Sequence, residues 1–208
     1  MSDIKPTPTE TRAQAQRERI LTAAEKCFIE HGFHAASMAN IADAAQMSPG
    51  LIYRYFGSKN EIIVAIIDRQ LQLAREDISQ INGATDFALE ISRAYGQSHA
   101  EPGQRMNSAL FLEISAEASR DPKVAAAVRS SDQTLAAEIR QRLGQSREEG
   151  GFGLPASRAQ TVTLLLECLW AGLRVHETRQ SDLDRDVLHA ALQEFFAVLL
   201  PTDTPATP

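Results

Sequence analysis

The chain has 208 residues, 43% of them hydrophobic, with 21 Lys or Arg against 27 Asp or Glu, a net charge of −6 and two cysteines. That length and apolar content suffice for one good core and a second small one. No stretch approaches the run of about 18 apolar residues that a membrane span needs, and the start, MSDIKPTPTETR, lacks a signal peptide's hydrophobic region, so a cytoplasmic chain is expected.

Taken alone, the acidic balance argues against a nucleic-acid binder, since phosphates call for Lys and Arg. The average hides a division. Residues 1–60 hold seven Lys or Arg and six acids, whereas the remaining 148 hold 14 and 21. A less acidic head on an acidic body is the result, with Arg12, Arg17, Arg19, Arg54 and Lys59 near helix ends.

In chain order, residues 1–10 and 201–208 are rich in Pro, Thr and acids, have little to bury, and are expected to be disordered arms. Helix one is predicted over 11–31: Thr11 and Gln14 fit a capping box, Ile20, Leu21, Ala24, Cys27 and Phe28 share a face, and Gly32 supplies a positive-φ stop. Ser37 caps a short second helix with Ile41, Ala44 and Ala45 inward, and Ser48-Pro49 opens a third over 49–56. Ser58 to Glu61 reads as a capping box for a fourth helix reaching about residue 80. Five more are predicted over 85–99, 103–119, 121–149, 156–179 and 183–200, with no strand-like alternation anywhere. The expected fold is all-α, about nine helices, with a head over 11–57 and a larger domain over 58–200. Cys27 and Cys168 lie in apolar helical stretches without paired spacing and read as buried thiols.

Two short helices joined by a tight turn have the proportions of a helix-turn-helix. At about 100° per residue, Ile52 and Phe56 lie together and face inward, Gly50, Leu51 and Arg54 lie opposite, and Tyr53 and Tyr55 flank them. An outward strip of that kind suits a major groove. Arg54 suits a guanine or a phosphate, Leu51 a thymine methyl, the tyrosines and Lys59 the phosphates, and Gly50 a close approach.

The run from Gly32 to Glu61 resembles the N-terminal motif of the tetracycline-repressor family at Gly32-Phe33, Ile41-Ala42, Ala45, Ser48, Gly50, Tyr53, Tyr55-Phe56 and Ser58-Lys59. The run spans 30 residues within a head of about fifty. It implies a homodimer reading a palindromic operator, with Ser37, Ser48, Gly50, Leu51, Tyr53, Tyr55 and Lys59 at the DNA, and a body that binds a small-molecule effector. Ala36, Ala39 and Asn40 depart from the family's usual residues, removing contacts from helix two or weakening its cap. Gln46 stands where glycine is usual, which predicts a strained left-handed backbone.

In the body, the helix over 156–179 is apolar around most of its circumference and must be covered on two sides. A partner subunit covers one of them in the expected arrangement, with Leu165, Leu169, Leu173, Leu188, Leu192, Phe195 and Phe196 at the interface. The family layout implies an effector cavity lined by Phe87, His99, Met106, Leu110, Phe111, Glu113, Ile114, Glu167 and Trp170. Glu113, flanked by apolar residues, receives a cation or donor from a ligand, pairs with an arginine, or faces water. Helical-bundle enzymes usually carry Glu-x-x-His, His-Glu-x-x-His, Cys-x-x-Cys or a phosphate loop; none occurs here, so no enzyme, cofactor or metal is expected. The alternative keeps the DNA-binding head and makes the body a dock for another protein.

Overall fold

The structure is a computed structural model that describes residues 8–81, 84–96, 106–180 and 183–200. Among them are nine helices and no strand: α1 Pro8–Ala35, α2 Met38–Ala44, α3 Pro49–Tyr55, α4 Lys59–Ser79, α5 Ala84–Ala94, α6 Ser108–Ala118, α7 Pro122–Gly144, α8 Ala156–Arg179 and α9 Arg185–Leu199. The expected arms at residues 1–7 and 201–208 lie outside the described residues, whereas 8–10 belong to α1.

Local chemistry places most helix ends. Gly32, at φ 77° and ψ 157°, breaks α1 so that only a short turn continues to Ala35. Ser37 and Asn40 form a reciprocal capping box on α2, the Asn40 amide donating to Ser37 Oγ and the Ser37 amide to Asn40 Oδ1. Asn40 therefore completes the cap instead of weakening it. Ser48 caps α3 ahead of Pro49, and Asp121 caps α7 ahead of Pro122. At α4 the Ser58 hydroxyl accepts from Glu61 N–H, but the Glu61 carboxylate reaches back to the Gly57 amide, one residue before the expected partner. α5 stops at Ala94, before Gly96 at φ 74°. α7 stops at Gly144, short of the expected 149, because the chain folds back there: a Cβ on Gly151 would lie 2.3 Å from the Gln145 carbonyl oxygen.

Two apolar clusters hold the helices together. The first joins α1, α2 and α3 through Ile20, Phe28, Ile41, Ile52 and Phe56, and runs on through α4 (Ile62, Ile63, Ile66) to Leu110 and Ile114 of α6 and Val124 of α7. The head's core thus continues past residue 57 into the body. The second cluster joins α5, α7, α8 and α9, with the Phe87 and Phe196 rings stacked at 5.4 Å. Between α1 and α4, Glu25 is 2% exposed, and one of its oxygens takes both Arg69 Nη2 at 2.6 Å and the Gln70 amide at 3.1 Å. A buried charge is tolerated there because a guanidinium and an amide replace its water.

The turn between α2 and α3 puts Gln46 at φ 52°, where Arg19 reaches its carbonyl and side-chain oxygens. The left-handed region costs a non-glycine residue about 1–2 kcal/mol, and glycine adds unfolded-chain entropy that returns about half of it. Gln46→Gly is expected to stabilise the protein by up to about 1 kcal/mol in urea unfolding. A loss of stability would show that the Arg19 contacts outweigh the strain.

Candidate nucleic-acid interface and ligand cavity

α3 stands on two anchors, Ile52 at 0% and Phe56 at 2% exposure, which fix its rotation and turn the opposite side outward. Gly50, Tyr53 and Arg54 are exposed, with Tyr53 at 55%, while Leu51 is half-buried. Nothing lies within 4 Å of a Cβ built on Gly50, so no contact inside the chain requires glycine there. Tyr55 is half-buried against the head's core, and its carbonyl accepts from Arg17, whose guanidinium lies 4.4 Å over the Phe56 ring. Arg17 is thereby tied to the end of α3.

The hydroxyls of Ser37 and Ser48 are engaged as helix caps, though both residues remain exposed at the N-termini of α2 and α3. Helix N-termini present amide hydrogens to phosphates in any case. Ala36, 2% exposed, is a core residue. Lys59 departs from the expected phosphate contact. Its ammonium donates to the carbonyls of Phe33 (2.6 Å), Ala36 (2.6 Å) and His34 (3.3 Å) and lies 4.7 Å over the Phe33 ring. All three of its donors are spent on carbonyls that the end of α1 leaves open. Burial pulls its pKa down, opposed by the nearby Glu117 carboxylate.

The same end of α1 is gripped from the body. Glu113 of α6 accepts from the Phe33 amide at 2.7 Å, and Glu117 of α6, 6% exposed, lies 3.2 Å from His34 Nε2. Asn60 at the start of α4 donates to Asp121, the cap of α7. Hydrogen bonds from Val124 N–H, and then from Lys123 and Asn60, hold the Asp121 carboxyl below its usual pKa. Glu113 takes none of the expected partners and accepts instead from the chain's own backbone. It does not line the cavity.

That cavity, about 510 Å³, lies between α4, α5, α6, α7 and α8. Phe87, Met106, Phe111, Ile114, Glu167 and Trp170 line it, as expected. Leu110, 1% exposed, belongs to the first core, and His99 lies outside the described residues. Two walls were missed: Ile67, Leu71, Ala74 and Ile78 of α4, and Val128, Leu135 and Ile139 of α7. Their helical spacing signals an inward stripe, but a stripe facing a cavity has the same composition as one facing a core. The polar groups in the wall include Gln70, Ser115, Ser131, Asp132 and Arg174. Arg174 is 3% exposed, lies 4.3 Å over the Trp170 ring and 3.5 Å from Glu177, and Glu177 accepts from Ser108. Burial raises the Asp132 pKa. A mostly apolar hollow of this volume with a few fixed polar groups suits a small amphiphilic molecule.

The residues assigned to a subunit interface divide differently. Leu188, Leu192 and Phe196, at 8%, 3% and 0% exposure, form the inward stripe of α9 in the chain's own core, and Leu169, Leu173 and Phe195 pack against them. Leu165 stays outside at 39%, joined by Leu164 (59%), Val187 (60%) and Val198 (79%), so the open apolar face lies on the other side of α8 and α9. Cys168 belongs to that face and is exposed, contrary to the buried thiol expected; Cys27 is buried. Among the described residues no helix is long and apolar enough to cross a membrane, and no group of three or more His, Cys, Asp or Glu could hold a metal ion.

Comparison with known proteins places the two parts together. Residues 20–66 match the family described as "Bacterial regulatory proteins, tetR family", and residues 94–201 match "BetI-type transcriptional repressor, C-terminal". The chain is 36% identical over 185 residues to the HTH-type transcriptional regulator UidR of Escherichia coli K12, covering 87% of this chain and 90% of that one. It superposes on Salmonella enterica GusR with a TM-score of 0.74 and 27% identity, covering 90% and 96% of the two chains. A transcriptional regulator from Rhodococcus sp. Rha1 shares the fold, with a TM-score of 0.71, 19% identity and coverage of 88% and 95%.

Lys59→Ala removes the donor of three carbonyls at a part-buried joint, and is expected to destabilise the protein by about 1–3 kcal/mol in chemical denaturation. Unchanged stability would free Lys59 from the joint and return it to the DNA surface.

Proposed function

The chain belongs to the TetR family of bacterial regulatory proteins, and from that premise we propose that it is a homodimeric repressor whose α3 helices read a palindromic operator and which releases DNA when a small molecule fills the body cavity. The observation that carries the reading is α3 itself: an exposed Gly50, Tyr53 and Arg54 strip held rigid by the buried Ile52 and Phe56. Gly50 lets the backbone approach the groove, Leu51 offers an apolar edge to a thymine methyl, and Arg54 presents a guanidinium to a guanine or a phosphate. Tyr53 and the amides behind Ser37 and Ser48 sit where phosphates pass, with Tyr55 on the inner flank.

Two such heads need a two-fold arrangement, because one short helix reads only a half-site. The exposed Leu164, Leu165, Val187 and Val198 supply the surface that a second copy buries. The cavity favours a small molecule over a docked protein as the signal, since it is a mostly apolar hollow between five helices of the body with a few polar groups in its wall. Effector and operator then oppose each other through one coupling energy, each favouring a different angle between head and body. The relatives are transcriptional regulators, and no catalytic role is assigned to this chain.

Selection of duplexes from a random pool by the purified protein is expected to enrich a palindrome bound with strong salt dependence. If no sequence emerges, the repressor reading fails. On the enriched duplex, Arg54→Ala is expected to cost about 1–3 kcal/mol and to relax preference at particular base pairs if the guanidinium reads a base. A uniform loss across operator variants would make Arg54 a phosphate contact.

Leu165→Glu combined with Val187→Glu places two charges on the open face without touching the chain's core. Sedimentation is expected to show folded monomers with greatly weakened operator binding. A persisting dimer would move the interface elsewhere.

A further inference from the structure

We infer that Glu113 is a positioning residue for DNA binding: its carboxylate, carried by α6 of the body, holds the backbone turn from which α2 and α3 of the head are hung. The inference rests on the DNA-binding reading above and names a contact through which the body sets the head's angle.

Breaking α1 at Gly32 leaves the Phe33 amide without a partner in its own helix. Phe33 is 3% exposed, so water does not readily serve that amide, and Glu113 Oε2 accepts from it at 2.7 Å. The carboxylate oxygens also lie 3.5 and 3.6 Å from where a Gly32 Cβ would stand, so the break and the acceptor are fitted to each other. A charged acceptor makes this bond stronger than a neutral one. From Phe33 the chain runs four residues to Ser37, the cap of α2, and the carbonyls of that stretch are taken by Lys59 of α4. The turn is therefore clamped from two sides, its amide by the body and its carbonyls by α4.

α6 has a second duty that makes its grip consequential. Phe111, Ile114 and Ser115 of the same helix line the cavity. A molecule that pushes on those side chains moves a rigid helix whose next residues hold the head. One turn on, the Glu117 carboxylate of the same helix lies 3.2 Å from His34 Nε2.

The test uses the full-length protein, the duplex it enriches from a random pool, and three variants. Glu113→Ala is expected to weaken operator binding at least tenfold while the protein stays folded, and to speed hydrogen exchange of the Phe33 amide. Glu113→Asp, which keeps the charge but draws it back by one methylene, is expected to lose affinity in the same direction and serves if the alanine variant does not fold. Glu113→Gln keeps an acceptor oxygen at the same reach and is expected to stay within about threefold of the wild type, a rescue that tracks the hydrogen bond. If Glu113→Ala or Glu113→Asp binds the duplex as tightly as the wild type, or the Phe33 amide exchanges freely in the wild type, the inference is wrong. If the wild type enriches no duplex at all, the DNA-binding reading fails first and takes the inference with it.

Discussion

A helix that breaks inside a protein leaves backbone amides and carbonyls in the turn beyond the break without helical partners, and each must find one or cost stability. Here α1 breaks at Gly32, and the turn beyond the break finds its partners elsewhere in the chain: Lys59 of α4 takes the carbonyls of Phe33, His34 and Ala36, and Glu113 of α6 takes the Phe33 amide. The rest of the molecule is arranged around that joint. α2 and α3 hang from one side of it, α4 and α6 enter from the other, and the first apolar core surrounds it with Phe28, Phe33, Leu110 and Ile114.

Because the joint is made of charged groups at short range inside an apolar setting, it is stiff and directional. The buried Glu25, Arg69 and Gln70 cluster does the same further along α1 and α4. Gln70 also stands in the cavity wall, so both α4 and α6 carry one face toward the hollow and one toward the head. A regulator whose signal is a change of angle needs levers of this kind, and helices that share their circumference between two compartments provide them.

The outer face of α8 and α9 follows a different logic. α9 spends its strongest apolar stripe, Leu188, Leu192 and Phe196, on its own chain. What remains outside is a band of medium and small residues, including Val187, Ala191 and Val198, with Glu194 among them.

The sequence by itself determined the existence of the nine helices among the described residues, the caps Ser37, Ser48 and Ser58, and the inward pair that orients α3, since these depend on residues a turn apart: Ser48-Pro49, Ser58 with Glu61, Ile52 with Phe56. The box expected at Thr11 and Gln14 falls instead inside α1, which begins at Pro8. The left-handed Gln46 was legible only through the family resemblance, as a turn position where glycine is usual. The end of α5 was overrun because Gly96 adopts a φ of 74°, and that of α7 because the chain folds back so that Gly151 packs on Gln145, neither of which periodicity registers. Only the tertiary structure decided that Lys59 closes α1, that Glu113 serves the head, that Leu188, Leu192 and Phe196 face inward while Leu164 and Val198 do not, and that α4 and α7 wall the cavity. Each of those is a choice between partners distant in the chain. A lysine, a glutamate or a leucine stripe has the same local signature whichever partner it finds, and packing selects among them.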